Sequence, residues 1–411
     1  MSDSLPPPKA LKFCQLAAAD VEEPSEDTTA SSSSMTTTIS ICTYNVLIQE
    51  FISPDRYPTV QHTDLVFDYD RRRKMLMQDI QQLKFHNTDI FCLEEMSLQT
   101  FQDIRMVLGN DDDEYGSHLV KRQIDKPLHN AMFYNKSKLQ LERHYDVNLH
   151  KDLRLLPETL LRSEHICLLP FRDLEFHAIC NHFTIRASNT SKGKNEQDKK
   201  EKRKHLLVMM AHLHHNPYHD VIKYAQMSCL INELTRISND LIEQQGIHQK
   251  DIYTVICGDL NAQPSNQVYH LIMNEEPTEQ SLEQETMVRQ EWLQQRKQWL
   301  PLYEQIYERT NVSFFYKHIA SVYGMYHTLN DDNTAAAAAA AAAAGERGHP
   351  KYTNLTDSFT NAIDYIFYDK TKLKPTQLLE IDTELYEKED FLPNSLHPSD
   401  HVILWARLQC L

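Results

Sequence analysis

Six apolar runs in this chain end in a carboxylate, an amide or an imidazole, and together those ends suggest hydrolysis of a phosphate ester. Thr38–Tyr44 leads into Asn45, and Asp89–Leu93 into Glu94 and Glu95. Leu206–Met210 leads to His212, and Ile252–Gly258 runs into Asp259-Leu260-Asn261. The run through Ile363 carries Asp364, and Ser399-Asp400-His401 directly precedes the last run. Each end has an ordinary explanation, since strand-terminal Asp and Asn start turns or cap helices, and a lone histidine is more often structural. Six such ends are harder to explain that way. Strand ends are rigid platforms from which side chains converge on one cleft.

Attack of water on a phosphate ester needs several kinds of group, and this set supplies them. Mg²⁺ takes a few carboxylate oxygens together with water and substrate phosphate, a part that suits Glu95 and Asp400. A base must deprotonate or orient the water, and Asp259 is the candidate. Asn261, two residues on, faces the same side of an extended strand end. There its amide can donate to a phosphoryl oxygen as negative charge develops. A histidine held by a carboxylate is fixed in tautomer and stabilised as the cation, so Asp364 with either His401 or His212 can buttress the phosphate. Gly258 permits close backbone approach, and Pro264-Ser265 signals a helix start before Val268, Leu271 and Ile272. Asp259 and Asn261 therefore belong to a strand-to-helix turn.

The elements that must hold these groups alternate along the chain. Thr38–Asn45 alternates apolar and polar residues as a half-buried strand does. Val221, Tyr224, Met227, Ile231, Leu234, Ile237 and Leu241 recur at helical spacing and predict a helix over Asp220–Glu243. Further helices are expected at Arg71–Phe85 and Ser97–Leu108. Strands interleaved with helices indicate layered α/β structure, and 411 residues, 41% of them hydrophobic, suffice for a large core. One catalytic domain is expected over residues 37–411, preceded by a disordered Pro/Ser/Thr-rich and acidic tail at 1–36. Two insertions interrupt the domain. Residues 188–204 form a polar, Lys-rich stretch that suggests a solvated hairpin loop, and residues 331–349 hold ten consecutive alanines.

Composition excludes several classes. The net charge is −16, from 42 basic and 58 acidic residues, which argues against a sequence-blind polyanion binder. A metal-assisted nuclease can still be acidic, because the cation supplies local positive charge. The eight cysteines form no C-x-x-C and lie mostly in apolar runs, as reduced, buried thiols do. No apolar run is long enough to cross a bilayer, and the N-terminus lacks the basic and apolar regions of a signal peptide. A soluble intracellular protein is expected, cytoplasmic or nuclear, with no membrane partner.

Six strings carry a family resemblance: Thr43–Leu47, Asp89–Glu95, Ala211–Pro217, Gly258–Asn261, Ile363–Tyr368 and Pro398–His401. In this order they resemble the endonuclease/exonuclease/phosphatase superfamily. Tyr352-Thr353-Asn354 and Leu392-Pro393-Asn394 point to its deadenylase-like branch, which contains nocturnin, the Angel proteins and the catalytic exonuclease of the Ccr-Not complex. The resemblance implies a four-layer α/β sandwich, with two mainly antiparallel sheets face to face and helices outside. It implies Mg²⁺, for which Mn²⁺ can substitute, with Glu95 as a ligand and Asn45 and Asp400 supporting the site. By the same resemblance Asp259 activates water, Asn261 and His212 hold the scissile phosphate, and Asp364 orients His401. Pro217 and Phe359 match positions that pack against a substrate base.

The chain departs from that pattern at Glu94, where Gln is usual, and at Met210-Ala211, His215 and Asn361. The implied activity is 3′→5′ exoribonuclease action on poly(A) or another RNA 3′ end, releasing 5′-mononucleotides. The alternative is a phosphatase for a small nucleotide such as NADP(H), or for an RNA-terminal phosphate. An inactive RNA- or protein-binding member would lack Glu95, Asp259 or His401, and all three are present. No leucine-rich repeat is found for docking to a Ccr-Not scaffold.

Overall fold

Strand alternation over Thr38–Asn45 and buried runs on either side of it assemble the first of two sheets. The structure is a computed structural model that describes residues 10–16, 36–109, 114–123, 126–151, 175–186, 203–283, 297–311, 318–325 and 348–411. The first sheet contains β1 (Phe13–Gln15), β2 (Thr38–Asn45), β3 (Ile90–Met96), β4 (Tyr115–Lys121), β5 (His129–Asn135), β14 (Leu373–Leu379) and β15 (Leu404–Cys410). Their spatial order is β1-β14-β15-β2-β3-β5-β4. The second sheet contains β6 (Leu139–Asn148), β7 (His177–Ile185), β8 (Lys204–Met210), β9 (Ile252–Asp259), β10 (Ile319–Ser321) and β13 (Asp364–Asp369), in the order β10-β13-β9-β8-β7-β6. A short hairpin, β11 (Asn354–Leu355) and β12 (Thr360–Asn361), stands apart. Within each sheet one pair is parallel, β2 with β3 and β8 with β9.

Three apolar clusters define the layers. Between the sheets Ile39, Ile41, Ile90 and Cys92 meet Val208, Met210, Val255 and Ile366. On the outer face of the second sheet, Leu207, Met209, Ile256 and Phe367 pack with Tyr224, Leu230 and Ile237. Those three lie on the long helix Asp220–Gln245. On the outer face of the first sheet, Phe91, Leu93, Phe133 and Trp405 pack with Leu76, Ile80 and Leu83 of Tyr69–Phe85 and Ile104 of Leu98–Leu108. Helix, sheet, sheet and helix give the expected four-layer sandwich, with mainly antiparallel sheets.

The helix ends follow local chemistry. The Asp68 side chain caps Tyr69–Phe85 by accepting from the Arg71 N–H, and Ser97 caps Leu98–Leu108 by accepting from the Thr100 N–H. Gly246, at φ 66°, stops the long helix in a left-handed conformation. The helix after the Asp259 turn is capped by Asn266, not Ser265, and spans Gln267–Ile272. Strand β8 ends at Met210, where the apolar run Leu206–Met210 ends. Beyond it, the Ala211 and Leu213 N–H groups still bond to Cys257 and Asp259 carbonyls.

Within the tail expected to be disordered, Phe13–Gln15 pairs antiparallel with β14, and Phe13 packs edge-on against Trp405 at 4.7 Å. Composition averaged over 36 residues hides that short apolar segment. Insertion 188–204 lies outside the described residues up to 202, and insertion 331–349 up to 347. The described cysteines are all free, and all but Cys14 are buried. Among the described residues no helix is long and apolar enough to cross a membrane.

Candidate active site

The polar strand ends gather at one end of the sandwich. Asn45 pairs in register with Glu94 across the parallel β2–β3 ladder, and Asp364 sits directly opposite Asp259 across β13 and β9. The segment bearing Asp400 and His401 enters β15 beside Thr43 of β2.

Asp259 is the hub. Its Oδ2 accepts from Asn45 Nδ2 at 3.2 Å and lies 3.3 Å from His212 Nε2 and 3.7 Å from His401 Nε2. Its Oδ1 accepts from the Asn261 N–H at 2.9 Å. Burial pushes the Asp259 carboxyl up to about 7, with His401 opposing and Asp364 reinforcing.

His401 is the cation of the site. Its Nδ1 donates to Asp364 Oδ2 at 2.8 Å. Burial pulls the imidazolium down, but Asp364, Asp400 and Asp259 outweigh it and hold His401 well above its ordinary value. Thr353 donates from Oγ1 to the same Asp364 oxygen at 2.6 Å and accepts the N–H groups of Ile363 and Asp364. Of the two pairings open to Asp364, the structure forms the one with His401. His212 is the neutral counterpart: burial first, then Arg122 and His401, hold its pKa well below the ordinary value.

Glu95 reaches the cluster through a bulge. Alternation would send Glu94 and Glu95 to opposite faces, but the β3–β5 register shifts between Leu93 and Met96, and Glu95 has φ 55°. The irregularity re-aims a side chain next to a site, a common use of bulges. Glu95 Oε1 lies 3.8 Å from His212 Nε2. Asp400 Oδ2 accepts from the Tyr57 hydroxyl at 2.9 Å.

Glu95 Oε2 and Asp400 Oδ1 are buried without a hydrogen-bond partner. Burial and then Asp400 raise the pKa of Glu95. Two close carboxylates with open oxygens are a donor set suited to a hard divalent cation. The trio Asp259, Asp364 and His401 also comes within 4.8 Å. That trio fits a metal less well, because His401 and Thr353 already occupy Asp364 and the imidazolium repels a second cation.

Asn261 reaches the site through a turn. Strand β9 ends at Asp259, and Asn261 takes the left-handed φ of 50°. Its side-chain Nδ2 donates to the Leu213 carbonyl at 3.3 Å. Gly258 has φ 128°, and a Cβ there would sit 2.1 Å from the Ala211 carbonyl oxygen and 3.1 Å from Glu94 Oε1. Gly258→Ala is therefore expected to cost about 3 kcal/mol or more, read as a lower urea midpoint. A midpoint within error of wild type would show that the strands part without penalty.

Glu94 itself is fully buried and accepts from Thr43 Oγ1 at 3.1 Å. Burial, then Cys257, Asp364 and Asp259, push its carboxyl well above the usual range. Burial thus favours the uncharged acid, similar in shape to the usual Gln, over the carboxylate at this position.

Pro217 and Phe359 both lie in turns. Pro217 is exposed in the 3-10 turn Pro217–His219, and Phe359 is half-buried in the turn between β11 and β12. Sequence patterns assigned no role to Tyr57, Thr353, Arg122 or Lys223. Arg122, buried, donates to the carbonyls of His212 and Leu213 at 3.2 and 2.6 Å. Thr353 stood within a recognised string, but nothing about Arg122 or Lys223 distinguishes them from surface cations.

The chain is similar to human 2′,5′-phosphodiesterase 12, with 26% identity over 374 residues covering 89% of this chain and 51% of that protein. It is also similar to the CCR4-Not complex 3′-5′-exoribonuclease subunit Ccr4 of Candida glabrata, at 23% identity over 99% of this chain and 41% of that protein. The chain thus spans about half the length, or less, of these curated relatives. Among solved structures it matches ANGEL2, a 2′,3′-cyclic phosphatase, with TM-score 0.62 and 19% identity over 91% of this chain and 95% of that one. The human Nocturnin catalytic domain matches with TM-score 0.50 and 16% identity over 91% and 95% of the two chains. At these identities the structures speak to the fold alone. No protein-family model matches the chain.

Proposed function

We propose that this chain, which belongs to the endonuclease/exonuclease/phosphatase superfamily and its deadenylase-like branch, is a metal-dependent phosphodiesterase. Its proposed reaction is 3′→5′ hydrolysis of an RNA 3′ end, poly(A) included, with release of 5′-mononucleotides. The observation that carries this is Asp259. A buried carboxylate meets Asn45, His212 and His401 within 3.7 Å, beside two carboxylates with open oxygens.

Glu95 and Asp400, with Asn45 alongside, would hold Mg²⁺ or Mn²⁺, which when bound supplies Lewis-acid charge at the phosphate. Asp259 takes the proton of the attacking water. The Asn261 amide and the neutral His212 Nε2–H donate to phosphoryl oxygens. His401, kept cationic by Asp364, opposes the negative charge that grows on the phosphate. Pro217 and Phe359 flank the terminal base. The relatives named above act, by name, on 2′,5′ linkages and as a 3′-5′ exoribonuclease, which supports a phosphodiester substrate. We place the protein in the cytoplasm or nucleus.

The net charge of −16 favours a second reading, since it opposes sequence-blind polyanion binding. In that reading the enzyme is a phosphatase for a small nucleotide such as NADP(H), or for an RNA-terminal phosphate.

One experiment separates the two. Wild type and Asp259→Ala are compared on 5′-labelled poly(A), mixed-sequence RNA, 2′,5′-oligoadenylate, NADPH and RNA ending in a 2′,3′-cyclic phosphate, with and without EDTA. Shortening of RNA from the 3′ end that requires both Asp259 and metal is the expected result. Phosphate release from NADPH, with RNA left intact, overturns the exonuclease in favour of the phosphatase.

A further inference from the structure

Lys223 lies in the first turn of the helix Asp220–Gln245 and is only 2% exposed. That location is unfavourable twice over. Burial strips the ammonium of water, and its charge sits at the positive end of the helix dipole. Something must offset these costs. Asp220 Oδ1, at 2.6 Å, supplies one countercharge.

The second contact is more informative. Lys223 Nζ donates to the Asn261 carbonyl at 2.8 Å. Asn261 is the left-handed residue of the turn after β9; its N–H donates to Asp259 Oδ1 and its side-chain amide to the Leu213 carbonyl. A non-glycine residue at positive φ is strained and persists where its surroundings fix it. The same turn is gripped from the other side. The Leu213 carbonyl that accepts the Asn261 amide also accepts from buried Arg122 at 2.6 Å.

We propose that Lys223 is a positioning residue whose bond to the Asn261 carbonyl sets the aim of the Asn261 side-chain amide. The inference rests on the catalytic roles proposed above for Asp259 and Asn261. Lys223 touches no reacting atom in this account. It acts through the backbone of the turn.

Kinetics on 5′-labelled oligoadenylate with Mg²⁺ test it. Lys223→Met is expected to lower kcat about tenfold to a hundredfold with KM changed less than about twofold, as misplacement of a reacting group does. Lys223→Arg, which keeps a donor and charge, should restore much of the loss. The decisive comparison is a double-mutant cycle with Asn261→Ala. If Lys223 works through Asn261, adding Lys223→Met to Asn261→Ala costs little more. Losses that simply multiply, a rise in KM alone, or a fall in thermal stability with kcat unchanged each overturn the proposal. Should Lys223→Met fail to fold, Lys223→Gln takes its place with the same outcomes. Asp259→Ala runs in parallel. If it retains hydrolysis, the catalytic assignment itself is wrong; if it abolishes hydrolysis while Lys223→Met matches wild type, only the positioning role falls.

Discussion

Replacing Asp259 with asparagine is expected to lower kcat about 10³-fold or more while KM changes by less than about threefold. Asparagine is nearly isosteric, and its side-chain oxygen can still accept from the Asn261 N–H that Asp259 Oδ1 holds at 2.9 Å. What disappears is the group that accepts a proton, together with one of the three carboxylates that keep His401 cationic. Both losses fall on the transition state, so kcat carries them. The acid limb of kcat/KM reports the essential base in the free enzyme. It is expected at or below pH 7, because burial, offset by His401 and reinforced by Asp364, brings Asp259 to about 7 and a bound cation lowers that value. The residual rate of the variant should lack this limb.

Stability gives an independent check. The folded pKa of Asp259, about 7, exceeds its ordinary 3.8, so between those values the native state binds more protons than the unfolded chain. Metal-free stability therefore falls as pH rises through that window. Asp259→Asn removes the contribution, so in EDTA the variant should gain on wild type as pH rises from 4 to 8. A stability difference that stays flat across that range would show that Asp259 is not the group with the raised pKa.

Much of this site is legible in the sequence because its groups terminate apolar runs. Asn45, His212 and Asp259 stand where strands stop, Asp364 and His401 where strands begin, and the sheets bring those ends together. Backbone irregularity is harder to read. Period-two alternation sends Glu95 away from the site, and only the bulge at φ 55° turns it back. Asn261 resembles a strand residue in sequence, yet it reaches the site through a left-handed turn. Arg122 and Lys223 escape notice for another reason: their bonds to backbone carbonyls are announced by no residue type, and the Asp220–Lys223 pair looks in sequence like any surface i,i+3 pair. At Glu94 residue type alone does not announce that burial disfavours the charged form. Fold class was readable from interleaved periods and the six strings, but the edge strand Phe13–Gln15 was not. Three residues in a polar tail carry no usable period.

Glu95→Gln is expected to separate metal binding from folding, with opposite signs for activity and metal-free stability. Glu95 and Asp400 each present a buried oxygen with no hydrogen-bond partner, and Asp400 raises the pKa of Glu95. Without a cation this arrangement is a liability, since like charges and unpaired buried acceptors both cost free energy. Replacing one carboxylate with a neutral amide relieves the repulsion, so in EDTA the variant should melt at the same temperature as wild type or higher. Added metal should reverse the order. A ligand that binds only the native state stabilises it by about 2.7 kcal/mol at a hundred times its Kd. Wild type gains this as Mg²⁺ or Mn²⁺ is titrated in, and the variant gains less at every concentration. Hydrolysis should fall about 10²-fold or more at low metal and recover in part as metal is raised, the behaviour of weakened ligation. Asp400→Asn should act in the same direction, more mildly, because its amide oxygen can still accept from Tyr57. Equal metal-induced shifts in melting temperature for wild type and Glu95→Gln would remove Glu95 from the metal site and leave its bulge without a chemical purpose.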